Sequence, residues 1–398
     1  MPKWIDMFDG RLEVTPPLTD DQLLQIPAKR GVVLLLAENR QPIVLLIAAD
    51  IRSRTNARLR NPDPEERRKT PDLRNITREI LWKLAPGHFQ AEWNFLELAG
   101  AIWPHECSQM VAWKPAWFVH VDPAGACPRF VRTRDVLAEP GEYLGPFEDG
   151  RTADRFIASL EDAFNLCRDV QCLRKAPHGP PCAYSQMNRC MGVGDGRISM
   201  DDYRAVVAKA ARFAAGARQE HRNELTAQMK AAAGTLQFER AASIKGRLEK
   251  LAEFDKPAYR HVAPAGEFRF VVVQQGSNFR RARVFLVDHG NIIAGDDLDY
   301  PLKSDQVAKT LGQMARHVEK ARPFADLDRW RMGLVSHFLY SSDERRGVML
   351  RWRESTSAEE LATAIEGSAK LLGLRAPAVR KKKEKPPTAE LPQSPPSP

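Results

Sequence analysis

Residues 225–251 constrain this chain more tightly than any other stretch. Leu225, Met229, Ala232, Ala233 and Leu236 recur at three- and four-residue spacing, and after a short break Ala241, Ala242, Ile244, Leu248 and Leu251 do the same. That is the apolar stripe of two short amphipathic helices. At about 11 to 13 residues each, such helices are marginal alone and must pack on each other or on a neighbouring element. The alanines permit close approach. Between the stripes, Leu236, Gln237, Phe238 and Glu239 place a large aromatic at the turn, flanked by charge. A hairpin this small has almost no interior in which to cover a phenylalanine.

The core of the pattern, Leu236, Phe238, Glu239, Ala241, Ala242, Ile244, Arg247 and Leu248, resembles the UVR motif, through which the bacterial excinuclease proteins UvrB and UvrC contact each other. Lys245 stands where the motif usually has arginine, and Gly246 where it has an acidic residue. The resemblance implies a UvrB-like partner, with Phe238 as the anchor of the contact and Glu239, Arg240 and Arg247 as charges around it. The alternative is an ordinary helical hairpin in an Ala/Glu/Lys-rich region.

With 398 residues the chain has room for two or three domains and ample core. No apolar run approaches the ~18 residues that span a bilayer, and the start is unlike a signal peptide, so a cytoplasmic protein with no membrane partner is expected. The net charge of +9 favours a polyanionic partner such as DNA, although part of the excess lies in residues 380–383. Six cysteines in such a chain are thiols or metal ligands rather than a disulfide framework.

Residues 31–36 and 42–47 are two apolar runs that read as a buried hairpin. A basic helix with Arg52, Arg54, Arg58 and Arg60 follows, then a charged loop over 61–71, a strand over 80–84 and a helix over 89–102 carrying Glu97. This order resembles the GIY-YIG nuclease domain that begins UvrC. The resemblance places Arg54 at the phosphate-holding arginine and Glu97 at the glutamate that binds one divalent cation, magnesium or manganese. Phosphodiester hydrolysis also needs a group to take the proton from the attacking water. The two tyrosine positions of the motif fall on Val33 and on Val44 or Leu45, which have no proton to exchange, and the motif's asparagine, expected shortly after Pro104, has no clear counterpart. The expected domain is a degenerate nuclease.

Residues 111–130, rich in Trp and Pro, read as strand-and-loop packing. Tyr143, Gly145, Pro146 and Phe147 lead into a helix over 152–166, as in UvrC. Cys167, Cys172, Cys182 and Cys190 follow, where the family has a Pro-Cys-x-x-Tyr and an Arg-Cys-x-x-x-Cys element whose cysteines are associated with an iron–sulfur cluster. Gly194 replaces the last cysteine, and the first is Cys167 or Cys172. If both are used, four thiolates are restored for an iron–sulfur cluster or a zinc ion; otherwise the site is incomplete, or the cysteines are reduced core residues.

A long helical pattern over 200–222 leads into the hairpin, and Pro257 ends the helical region. Strands are expected over 268–273, 281–287 and 292–295, helices over 303–322 and 326–338, a strand over 347–351 and a helix over 358–372. The expected fold is α+β multidomain: an N-terminal segment (1–25), a GIY-YIG-like α/β domain (26–140), a helical Cys-containing domain (141–205), a helix plus UVR hairpin (206–257), a C-terminal α+β domain (258–372) and a disordered basic, Pro-rich tail (373–398). Neither the second nuclease core nor the helix-hairpin-helix module of UvrC is found. The expected function is that of a nucleotide-excision-repair protein that binds UvrB and DNA with its nuclease lost. The alternatives are an active single-site endonuclease and a cysteine-cluster protein serving a regulator outside repair.

Overall fold

The computed structural model describes residues 3–59, 72–320 and 322–376. The charged loop over 61–71, Arg60 and the tail from residue 377 lie outside the described residues. The protein is a multidomain α and β structure built on three antiparallel sheets.

The first sheet comprises β1 (Gly10–Glu13), β2 (Gly31–Leu36), β3 (Pro42–Ala48) and β4 (Glu79–Leu84) in the order β1-β4-β2-β3. Helices α1 (Asp20–Gln25) and α2 (Ile51–Leu59) interleave with them, and α3 (His88–Ile102) and the short α4 (Cys107–Met110) follow. Every residue of β2 is buried because both of its faces are covered, which gives a continuous apolar run where a half-exposed strand alternates. Val33 and Leu35 share a cluster with Ile51 and Leu59 of α2. Val32, Leu34 and Leu36 instead meet Phe89, Phe95, Leu96 and Leu98 of α3. Since alternate residues of a strand point to opposite faces, α2 and α3 lie on opposite sides of this sheet. The first strand pairs with β4 from Gly10↔Trp82 to Glu13↔Glu79, so the N-terminal segment expected over 1–25 contributes a strand to this sheet.

The second sheet, β6-β5-β7-β8, joins β5 (Trp117–Val121), β6 (Val131–Thr133), β7 (Glu142–Phe147) and β8 (Ala263–Pro264). The boundary expected at 140/141 falls inside it, between β6 and β7. Between β7 and β8 the chain makes a helical excursion: α5 (Gly150–Phe164), α6 (Val170–Lys175), α7 (Ala183–Gln186), α8 (Met200–Ala215), α9 (Arg218–Gly234) and α10 (Phe238–Leu251). Val119, Val121, Leu144 and Phe147 pack with Phe156, Leu160, Val207 and Phe213, so sheet and helices share one core. The helical pattern over 200–222 is two helices rather than one, because Gly216 takes φ +137, a conformation that ends α8.

The third sheet contains β9 (Arg269–Gln275), β10 (Arg281–Asp288), β11 (Asn291–Ala294), β12 (Leu298–Asp299) and β13 (Val348–Arg351). Helices α11 (Ser304–Glu319) and α14 (Ala358–Gly367) cover the face with Val271, Val273, Val284 and Leu286. Helix α12 (Asp326–Leu339), before the short α13 (Asp343–Arg346), covers the other together with α3. Phe89 of α3 meets Phe285 and Phe338 with ring centroids 5.2 Å apart in both pairs. Helix α3 is therefore apolar around most of its circumference, wedged between the first and third sheets.

Candidate functional site

The hairpin of α9 and α10 stands on the helical core. Leu225, Ile244 and Leu251 are buried in the cluster that includes Phe164 and Phe213, with Met229 and Leu248 half-buried against it. Arg222 donates to the Leu251 carbonyl at 3.0 Å and Lys250 to the Asp162 carbonyl at 3.1 Å, which ties the base to the body. The far end is different: every residue from 233 to 240 is exposed. Leu236 sits at φ +61 in the turn, and the Gln237 N–H donates to the Ala232 carbonyl at 2.9 Å, closing the end of α9. This turn leaves Leu236 73% and Phe238 65% exposed, side by side at the tip. Glu239 and Arg240 share the tip, whereas Arg247, half-buried, lies about two and a half turns further along α10.

The four cysteines singled out in the sequence converge. Cys167, Cys172, Cys182 and Cys190 all line one cavity of about 10 Å³, closed by Pro180, Ser185, Gly192, Gly194 and Asp195. They stand as two interacting pairs, Cys167 with Cys190 and Cys172 with Cys182. The hydrogen bond from Cys167 lowers the Cys190 thiol to about 6, with the Gly192 N–H also directed at its sulfur at 3.5 Å. The same bond, with burial, raises Cys167, while burial first and Cys182 next raise Cys172 to about 11. This bond favours the thiolate form of Cys190 over that of Cys167. Among the described residues, no group of three or more His, Cys, Asp or Glu side chains is arranged as a metal site. Four thiols lining one cavity are nevertheless the donor set that a soft metal ion takes.

A Cβ on Gly194 would lie 3.1 Å from the Cβ of Cys172, so Cys172 occupies the room a side chain at 194 would need. Ser185 and Arg197 hold Asp195 at the cavity wall at 2.8 and 3.3 Å, and Tyr203 accepts from the Cys167 N–H at 3.0 Å. Ser185, Asp195 and Arg197 carry no motif signal of their own, and Tyr203 stands in the sequence without a pattern that gives it a role.

Arg54 and Glu97 are not brought together. They belong to α2 and α3, on opposite sides of the first sheet. Among the described residues, the buried Nε of Arg54 has no hydrogen-bond partner. Glu97 is fully engaged: Arg331 of α12 grips it in a two-pronged ion pair at 2.6 and 2.7 Å, and Trp93 donates its indole N–H at 3.0 Å. Just over one turn earlier on α3, Glu92 pairs with Arg345. Val33 is buried within the first sheet, and Val44 and Leu45 pack on its two faces.

No helix among the described residues is long and apolar enough to cross a membrane. Residues 116–213 match the family described as UvrC/Cho excinuclease, middle domain. The chain is similar to the UvrABC system protein C of Methanothermobacter thermautotrophicus, 29% identical over 43% of this chain and 28% of that protein. That of Caldicellulosiruptor saccharolyticus is 27% identical over 58% and 39%, and that of Paramagnetospirillum magneticum 31% over 35% and 22%. The matched stretches thus span about a fifth to two fifths of the length of these curated relatives. No solved structure matches the chain. The family match contains all four converging cysteines and ends just before the hairpin, and the chain is UvrC-like.

Proposed function

We propose that this chain is a repair-associated docking protein: its hairpin is a UVR element that binds the matching hairpin of UvrB or a similar partner and brings that partner to DNA. The observation that carries this reading is the exposure of Leu236 and Phe238 at a tip whose base is firmly packed. Two large apolar side chains held out on a rigid arm suit a contact whose centre is desolvated on binding. The similarity to UvrABC system protein C supports the repair context, and the net charge of +9 supports the nucleic-acid partner. Co-purification of UvrB with the full chain, lost on Phe238→Ala, tests it.

The first domain, on this reading, is a GIY-YIG-like scaffold without cutting activity. Aliphatic residues stand at the proton-accepting positions, Glu97 is committed to Arg331, and the sheet separates it from Arg54. The purified protein is expected not to nick damaged duplex with magnesium or manganese at any rate sensitive to Glu97→Gln. Metal-dependent incision abolished by Glu97→Gln and by Arg54→Ala would establish the endonuclease reading instead.

Cys167, Cys172, Cys182 and Cys190 would hold an iron–sulfur cluster or zinc, either of which supplies a cross-link across the helical excursion when bound. Alanine at Cys182 or Cys190 is then expected to release the metal and lower the melting temperature, since the binding energy of a structural site is folding energy. Stoichiometric metal unaffected by Cys182→Ala, read by elemental analysis, contradicts the assignment. In the metal-free protein, the thiolate titration followed by ultraviolet absorbance should shift to higher pH in Cys167→Ala, which removes the hydrogen bond that lowers Cys190.

A further inference from the structure

Where the second sheet meets α12, the surface opens into a cavity of about 480 Å³, separate from the hairpin and the cysteines. Its size falls within the ~300–1,000 Å³ of small-molecule sites. Two tryptophans and several nitrogen-bearing side chains line it. The guanidinium of Arg134 lies 4.3 Å over the ring of Trp117, and His337 stacks on Trp113 at 6.2 Å with 22° between the planes. Arg345 is committed to Glu92 through Nη2, which leaves Arg134 as the guanidinium that lines the cavity beside Trp117. Lys114, exposed at the rim, adds a further cation. Of the two carboxylates there, Asp149 is occupied in capping α5 through the Thr152 N–H at 2.7 Å, and Glu148 is exposed.

We propose that this cavity binds a single nucleotide, its phosphate received by the guanidinium of Arg134 and the ammonium of Lys114 and its base placed against the tryptophan and histidine rings. Flat π faces beside cationic groups are the combination that recognises an unstacked nucleotide irrespective of base. Two sources share this chemistry: a free nucleoside monophosphate and one unstacked residue of a single strand. Neither depends on the docking role of the hairpin, because Phe238 lies on a different element from every lining residue.

The test is tryptophan fluorescence of the full chain, titrated separately with deoxynucleoside monophosphates and with an eight-nucleotide single strand. Saturable quenching is expected with at least one of the two, weakened tenfold or more by Arg134→Gln and by His337→Gln, and unchanged by Phe238→Ala. Lys114→Gln, at an exposed position, serves as a variant without folding risk and should weaken binding two- to fivefold at low salt. Quenching by both probes assigns the site to nucleotides in general, and quenching by the strand alone assigns it to a nucleotide within a strand. If neither probe binds, or if both bind the properly folded Arg134→Gln and Lys114→Gln variants as tightly as the parent, the proposal is overturned.

Discussion

Replacing Arg331 with alanine is expected to destabilise the protein by ~1–3 kcal/mol, because it leaves the half-buried Glu97 without its arginine and removes one of the two arginines that hold the buried Asp328. Arg331 pairs with Glu97 through Nε and Nη2 and with Asp328 through Nη1 at 2.7 Å. Asp328 retains only 2% side-chain exposure and is also held by Arg322 and by the Ala325 N–H. Burial pushes its carboxyl up, but these hydrogen bonds outweigh burial and hold it below the usual range. A carboxyl depressed in the folded state contributes stability that is present above its unfolded pKa, about 3.9, and is lost as pH falls through the folded value. The network should therefore act fully at neutral pH and fail only in acid. Urea denaturation at pH 7 checks the expected loss; a midpoint unchanged in Arg331→Ala would show that the network is dispensable.

The same variant bears on what Glu97 does. A catalytic carboxylate freed from its arginine would gain metal affinity, whereas a structural one loses its partner and the fold loosens. Glu97→Gln is accordingly expected to lower stability while leaving the protein as inactive on DNA as the parent.

Much of this architecture is legible in the sequence where the signal is local. The apolar runs at 31–36 and 42–47 form β2 and β3, and burial on both faces of β2 leaves no alternation to disguise it. The cluster of Cys167, Cys172, Cys182 and Cys190 is legible as spacing, and all four line one cavity. What is not legible depends on partners far away in the chain. The four residues of β1 carry too short a pattern to announce a strand and are one only because β4 offers its edge. Glu97 matches a metal-ligand position in sequence, but its arginine comes from 234 residues later. The placement of α2 and α3 across the sheet from each other likewise follows from which residues cover each face, and no spacing within either helix encodes it. The break at Gly216 is hidden because a single glycine in a helical pattern is usually tolerated.

Phe238→Ala is expected to weaken partner binding tenfold or more while leaving stability almost untouched. Truncating an aromatic at the centre of a contact commonly costs ~2 kcal/mol or more, and ~1.4 kcal/mol is already tenfold in affinity. An exposed side chain outside any core should move folding stability by no more than ~0.5 kcal/mol, and Phe238 is 65% exposed. Glu239 and Arg240 are exposed at the tip and should each matter by only ~0–1 kcal/mol. The decisive measurement is a titration of UvrB against the full chain and its Phe238→Ala variant, with thermal melts of both. Binding at least tenfold weaker with an unmoved melting temperature is the predicted result; a variant that melts several degrees lower yet binds UvrB as tightly as the parent would contradict it.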